Sequence, residues 1–174
     1  YRVCSGQQES GSACVQSRGN AGQITFREWS PVGVEEYGYV APDPLDPDIV
    51  YGGKVTRFDR RTGQVQQVGP RLGRAADNRV VRTMPLLFSP VNPKVLYFAS
   101  NVLWRTADGG QHWERVLFSK DTKEHASNMD YGWITSWGPD VMGLALDSRS
   151  PDTLYFSTSG HIFRSSDGGR KWVQ

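Results

Sequence analysis

One turn-forming stretch occurs twice in this 174-residue chain and constrains its fold more than any other feature. Ser or Thr is followed two residues later by Asp-Gly-Gly, and Trp closes the stretch, at 106–113 and 165–172. An Asp carboxylate can accept hydrogen bonds from backbone N–H groups of its own turn, and Gly permits positive φ in a tight hairpin. The motif predicts structural roles for Asp108, Gly109, Gly110, Trp113, Asp167, Gly168, Gly169 and Trp172.

A second pattern recurs around these hairpins. A polar residue, Pro, a turn residue and two mostly apolar residues lead to Tyr51, Tyr97 and Tyr155, which lie 46 and 58 residues apart. A short apolar stretch precedes each copy, and further short strands follow it. Four strands per repeat, at a period of roughly 40 to 50 residues with one insertion, predict antiparallel meanders arranged around an axis. The chain is therefore predicted to be all-β, a β-propeller of four-stranded antiparallel blades.

About three and a half blades fit within the chain, as parts of one propeller domain. Six Trp, seven Tyr, seven Phe and nineteen Gly suit short strands joined by tight turns. We predict a fragment of a larger propeller, closed by remaining blades or by a second chain, because an open half-propeller exposes strand edges. The predicted units are a partial blade with a long polar loop at 1–36, a blade with a degenerate Asp59–Gly63 hairpin at 37–80, a blade with its following loop at 81–130, and a blade at 131–174.

With their Pro-x-φ-φ-Tyr prelude, the two hairpins resemble the Asp-box, or bacterial neuraminidase repeat (BNR), superfamily over residues 37–174. That superfamily includes sialidases, xyloglucanases, sortilin-type receptors and a photosystem II assembly factor. The chain looks most like its sortilin/xyloglucanase-like bacterial group, with residues 1–11 and 59–64 similar to extracytoplasmic propellers of that kind. The resemblance implies a bacterial periplasmic or secreted location, and it does not transfer an activity.

The two cysteines and the charge pattern indicate which compartment and which partners the chain suits. Cys4 and Cys14 flank a polar Gly/Ser-rich segment and are candidates for a disulfide, which suits an oxidising compartment; two reduced thiols are the alternative. The formal charge is +2, with both signs interleaved, so nucleic acid is not an expected partner. The three His residues share no metal-ligand spacing with the cysteines, so no metal and no cofactor is predicted.

The predicted topology divides the loops between two faces. The Asp-box hairpins lie on one face, and the opposite face receives residues 7–20 and the blade-to-blade stretches 30–36, 71–79 and 130–140. Propellers bind ligands on such a long-loop face. The ligand-binding candidates on it are Gln8, Arg18, Asn20, Arg79, Trp133 and Trp137.

Three subsets of that face could carry chemistry. Trp133 and Trp137 could stack on sugar rings or a protein partner, or could fill core between blades. Arg18 and Arg79 could clamp a carboxylate, or could be ordinary surface residues. Glycoside hydrolysis needs an acid/base pair of carboxyls, for which the weak candidates are Glu9, Glu35, Glu36 and Asp140. Solvated loop carboxylates are the alternative for that last set.

The xyloglucanase resemblance implies a catalytic Asp in the loop after a blade's second strand. Ser100-Asn101 and Ser159-Gly160 occupy that place here, without a carboxylate. We therefore predict a non-catalytic extracytoplasmic propeller that binds protein or polysaccharide through its long-loop face. A glycoside hydrolase of xyloglucanase type is one alternative. An assembly or scaffold subunit of a membrane-associated complex is another.

Overall fold

The computed structural model describes residues 1–70, 83–118, 143–158 and 160–174. Over these ranges the chain is all-β, with its strands in four separate antiparallel sheets and a single turn of 3-10 helix at Phe26–Glu28. In every sheet each strand pairs with its neighbour in sequence, which is the meander that the repeats predict. Two of the sheets have four strands, as a propeller blade does.

Each sheet is built from strands that are consecutive in the chain. Sheet one contains β1 (Arg2–Gln7), β2 (Gly11–Gln16) and β3 (Trp29–Val32). Sheet two contains β4 (Val40–Pro42), β5 (Ile49–Gly52), β6 (Thr56–Asp59) and β7 (Gln64–Gln67). Sheet three contains β8 (Leu86–Phe88), β9 (Leu96–Ala99), β10 (Val102–Thr106) and β11 (Glu114–Phe118). Sheet four contains β12 (Gly143–Leu146), β13 (Leu154–Ser157) and β14 (Ile162–Ser165).

Strand β2 corrects the prediction of a long loop from Gln7 to Ala21. Cys4 and Cys14 are direct cross-strand partners in the β1–β2 hairpin and form a disulfide. The hydroxyl of Ser12 is buried and lies 2.6 Å from the carbonyl oxygen of Val32. The segment looks polar in sequence, but its buried hydroxyl is hydrogen-bonded inside the sheet, so it can form a strand.

The apolar core lies between successive sheets. Because side chains alternate along a strand, each central strand contributes to two core layers. Phe98 of β9 packs with Tyr51 of sheet two, whereas its neighbour Tyr97 packs with Leu154 and Phe156 of sheet four. Burying each such side chain stabilises the fold by about 2 kcal/mol, so the sheets depend on one another for stability.

Each sheet has two ends, which position the candidate residues. The box end carries the turns that join the third strand to the fourth, including 59–64 and 106–113. The loop end carries the turns between the second and third strands, such as 53–55, and the connections from one sheet to the next, such as 33–39. No helix within the described ranges has the length and apolar character needed to cross a membrane.

Candidate functional site

The hairpin at 106–113 is held by a hydrogen-bond network around Asp108. Thr106 donates its hydroxyl to the Asp108 carboxylate at 2.8 Å and accepts the backbone N–H of Gly110 at 3.1 Å. The backbone N–H of His112 donates to the same carboxylate at 2.9 Å, and its ring Nδ1 lies 2.6 Å from the other oxygen. The His112 backbone and side chain, followed by the Thr106 hydroxyl, lower the pKa of Asp108 strongly.

The hairpin at 165–172 repeats this arrangement. Ser165 donates to Asp167 at 2.9 Å and accepts from the backbone of Gly169 at 2.9 Å, while the backbone N–H of Lys171 donates to Asp167 at 2.8 Å. The hydrogen bond from the Lys171 backbone is the main cause of the lowered pKa of Asp167. In both turns the Asp carboxylate accepts hydrogen bonds from residues of its own hairpin, so its contacts stabilise the turn.

Gly and Trp residues of these hairpins contact the preceding sheet. The indole N–H of Trp113 donates to the carbonyl oxygen of Val68 at 2.7 Å, whereas that of Trp172 donates to Gly169 in its own turn at 2.9 Å. A Cβ at Gly110 would lie 2.7 Å from the Val68 oxygen, and one at Gly169 would clash with a methyl group of Val116. The hairpins therefore join neighbouring sheets closely.

Sheet two has an ion pair where the other hairpins have the Gly pair and Trp. Asp59 accepts from the backbone N–H of Arg61 at 2.9 Å and from its guanidinium at 3.0 and 3.1 Å. Arg61 also lies 3.1 Å from Asp46 in the preceding turn. The degenerate hairpin therefore keeps the Asp-centred turn and adds a charged contact between two turns.

Three of the four residues proposed as candidate carboxylates lie at the loop end of sheets one and two: Glu9 in the β1–β2 turn, and Glu35 and Glu36 in the connection at 33–39. The Glu36 carboxylate accepts a hydrogen bond from the backbone N–H of Glu9 at 2.7 Å, across 27 residues of sequence. The Glu35 side chain packs over Gly53, where an added Cβ would lie 2.5 Å from it. Tyr39 ends the same connection and is 41% exposed. The β1–β2 turn and the connection at 33–39 therefore bring four residues to this end of the sheets, and we call these four the Glu surface: Glu9, Glu35, Glu36 and Tyr39.

Arg18 and Asn20 do not lie with the other candidates on the predicted long-loop face. Gln8 and Glu9 lie in the β1–β2 turn, whereas Arg18 and Asn20 follow the far end of β2, at the box end. Six residues of strand separate the two ends by about 20 Å. The grouping was wrong because residues 7–20 contain a strand, and a strand carries its two flanks to opposite ends.

Arg18 instead lines an open recess with Tyr1, Arg2, Gln16 and Ser17. Arg79, Trp133, Trp137 and Asp140 lie outside the described residues, so the roles predicted for them remain predictions. Within the described part of the chain, no group of three or more His, Cys, Asp or Glu side chains is arranged to hold a metal ion. The Ser100-Asn101 turn is buried and carries no carboxylate.

The sequence interpretation missed two features. Tyr39 is not among the predicted ligand-binding residues, although its place just before β4 in a Gly-containing connection could have indicated an exposed loop residue. Cross-strand Tyr–Arg pairs also recur, as Tyr51 with Arg57, Tyr97 with Arg105 and Tyr155 with Arg164. The Tyr repeat was recognised, and an Arg six to nine residues after each Tyr was the available signal.

Comparisons with known proteins identify the fold class. No family model matches the sequence, and no curated protein matches it. Among solved structures, the GH74 xyloglucanase from Xanthomonas campestris is similar over 92% of this chain, with 20% identity and a TM-score of 0.57. An ancestral GH74 enzyme is similar over 98%, with 15% identity and a TM-score of 0.64. The GH74 enzyme of Niastella koreensis is similar over 99%, with 15% identity and a TM-score of 0.54.

These likenesses show that the chain has the fold of GH74-type β-propellers, which confirms the predicted fold class. The chain spans only about a quarter of each of these structures, covering 24%, 22% and 27% of them. It therefore corresponds to part of a propeller. At these identities the likeness concerns fold alone, because one fold carries many functions.

Proposed function

We propose that this chain is part of an extracytoplasmic bacterial propeller of the Asp-box type that binds a neutral polysaccharide at the Glu surface. The observation that carries the proposal is that Glu9, Glu35, Glu36 and the exposed Tyr39 all lie at the loop end, in a turn and a connection that the Glu36–Glu9 hydrogen bond joins. One similar solved structure supports the ligand class, since it is named as a xyloglucanase. The Cys4–Cys14 disulfide supports an oxidising compartment outside the cytoplasm.

The chemistry of the Glu surface suits a sugar chain. Carboxylate oxygens accept hydrogen bonds from sugar hydroxyls, and a tyrosine ring offers an apolar face on which the C–H groups of a pyranose can stack. Three nearby carboxylates repel acidic sugars, so a neutral polysaccharide is favoured over a sialylated or uronic-acid-rich one. Recognition by a few polar groups around an apolar platform is the usual pattern of a ligand site.

The engagement of Glu36 favours binding over hydrolysis. Hydrolysis needs two carboxyls roughly 5 to 9.5 Å apart on either side of the scissile bond. Glu36 already accepts the backbone N–H of Glu9, which makes it part of the turn's structure. A hydrolase would therefore depend on Glu35 with Glu9, and this is the second candidate function. A protein partner, and a scaffold role in a membrane-associated complex, stay predictions.

Titration calorimetry with xyloglucan oligosaccharides tests the proposal. We expect Tyr39→Ala to weaken binding about 10-fold or more, because it removes the stacking platform. Phe26→Ala is the matched control: Phe26 is 81% exposed but lies in the connection at the box end of sheet one, so binding should be unchanged. No binding by the wild-type chain, or an equal loss in both variants, would reject the proposal.

A parallel assay separates binding from hydrolysis. Release of reducing ends from xyloglucan is measured for the wild-type chain and for Glu35→Gln. A binding protein releases none with either chain. Release by the wild-type chain that Glu35→Gln abolishes would instead establish the hydrolase candidate.

A further inference from the structure

Two strained turns lie next to each other at the loop end of sheets one and two. Among the residues that the structure describes, Glu9 and Val55 are the two other than Gly with positive φ, at 61° and 67°. Glu9 lies in the β1–β2 turn and Val55 in the β5–β6 turn. The left-handed region is costly for a β-branched side chain, so such a turn persists only where its surroundings hold it, and strained turns concentrate at functional sites.

Contacts on several sides hold the β5–β6 turn in place. Val55 is fully buried and packs in the apolar core between sheets two and three. Its carbonyl oxygen accepts the backbone N–H of Val68 at 3.0 Å. Gly69 lies so close to the carbonyl oxygen of Lys54 that an added Cβ would clash with it. The backbone of the turn is therefore fixed, with Lys54 at its tip.

Lys54 and Glu35 are neighbours at this tip. The Glu35 side chain lies over Gly53, the residue before Lys54, with its Cβ, Cγ and Cδ all within 2.8 Å of the position of an added Cβ. The Lys54 side chain is exposed. Among the described residues, no hydrogen bond or ion pair engages the Glu35 carboxylate or the Lys54 ammonium. An acceptor from sheet one's connection and a donor from sheet two are therefore both available to a ligand.

We propose that Lys54 and Glu35 together hold two adjacent hydroxyls of a sugar ring, which makes Lys54 a specificity-determining residue of the Glu surface; this rests on the proposed function. A carboxylate only accepts hydrogen bonds and an ammonium only donates them. A sugar hydroxyl does both, so one hydroxyl donates to Glu35 while its neighbour accepts from Lys54. The ligand class narrows to a neutral polysaccharide with an unsubstituted vicinal diol on its rings.

The charge and the rigidity of the turn suit this ligand. A hydrogen bond from a charged donor is stronger than one between neutral groups. Because the turn is fixed before the ligand arrives, little further ordering of the backbone opposes binding. Lys54 adds one positive charge to a surface with three carboxylates, so acidic sugars stay disfavoured.

Titration calorimetry with xyloglucan oligosaccharides compares the wild-type chain with Lys54→Met, which keeps an unbranched apolar side chain and removes the ammonium. We expect binding to weaken about 10-fold. Lys54→Arg keeps a charged donor and should recover most of the affinity. Lys94→Met is the matched control: Lys94 is also exposed but lies in the β8–β9 turn at the box end of sheet three, so binding should be unchanged.

Oligosaccharides with O-methylated hydroxyls test the diol directly. Methylation removes the proton that Glu35 accepts and crowds the oxygen that accepts from Lys54. We expect the wild-type chain to bind the methylated form more weakly, and Lys54→Met to bind it as the wild type does. With the unmodified form, combining Lys54→Met and Glu35→Met should cost less affinity than the product of the two single losses, because both groups hold one diol.

Three results would overturn the assignment of Lys54. Equal binding of the unmodified oligosaccharide by the wild type and Lys54→Met would reject the role of Lys54 and leave the proposed function standing. An affinity loss matched by a fall in stability under urea would mean that Lys54 supports the turn and does not contact the ligand. No binding by the wild type would reject the proposed function, and the role of Lys54 with it.

Discussion

The carboxylate of Glu36 accepts the backbone N–H of Glu9 at 2.7 Å, and this bond ties the β1–β2 turn to the connection between sheets one and two. Glu9 adopts φ 61°, a left-handed conformation that is costly for a residue with a side chain. Gly6 packs against the same connection, where an added Cβ would lie 2.5 Å from the Glu36 carbonyl oxygen. The Glu surface is therefore built on a strained turn that Glu36 holds in place.

Substitutions at these two positions should shift stability in opposite directions. Glu36→Ala removes the acceptor and should lower the free energy of unfolding by about 1 kcal/mol. Glu9→Gly keeps the backbone N–H and relieves the left-handed strain, so it should raise that free energy by about 1 kcal/mol. Urea unfolding measures both. Glu36→Gln is the control for Glu36→Ala, since its amide oxygen still accepts, and a loss as large as that of Ala would contradict this explanation.

The second Gly of the hairpin at 106–113 should tolerate substitution far less than a Gly in an open turn. Gly110 and Gly63 both have positive φ, at 93° and 72°. A Cβ at Gly110 would lie 2.7 Å from the Val68 oxygen, whereas nothing lies within 4 Å of one at Gly63. We expect Gly63→Ala to cost about 1 kcal/mol through its backbone alone. Gly110→Ala should cost about 3 kcal/mol, because sheets two and three must also separate.

Thermal unfolding followed by circular dichroism compares the two variants. Equal losses would mean that the contact between the hairpin and Val68 contributes nothing to stability. Gly169→Ala is a second test. Its Cβ would meet a Val116 side chain, which can move more easily than a backbone oxygen, so its loss of stability should be smaller than that of Gly110→Ala.

Turns and strands that depend on contacts within a few residues were predicted well from the sequence. The bonds between Thr106, Asp108 and Gly110 all fall inside one hairpin, so the residue types alone indicate the turn. The Tyr repeat likewise located one central strand in each of three sheets, since Tyr51, Tyr97 and Tyr155 lie in β5, β9 and β13. Local hydrogen bonding and period-two alternation are the physical basis of both successes.

The candidate site was harder to predict because its contacts are distant in sequence. The bond between Glu9 and Glu36 depends on how sheets one and two stack, which no local pattern specifies. Arg18 was placed with them because β2, with its small residues Gly11 and Ser12, reads as a loop. The one available signal was the pair Cys4 and Cys14, whose spacing is that of cross-strand partners on either side of a tight turn.

Asp108 makes the free energy of unfolding depend on pH, with lower stability in acid. Its pKa is lowered from the usual 3.8 by the hydrogen bonds of its own hairpin, so the folded chain holds the carboxylate charged to lower pH than the unfolded chain does. The stabilisation is therefore present above about pH 4 and is lost as the pH falls through the folded-state pKa. Asp167, with its pKa also lowered, adds an effect of the same sign.

Asp108→Asn should lower the unfolding temperature at neutral pH, because the amide keeps the acceptor oxygen and loses the charge that His112 and Thr106 stabilise. The gap between wild type and variant should narrow below about pH 4, as the wild-type carboxylate takes up a proton. Repeating the series with His112→Ala in both chains separates the imidazole from the backbone bonds. A gap that is widest in acid would contradict the assigned cause, since a lowered pKa can contribute stability only where the carboxylate is charged.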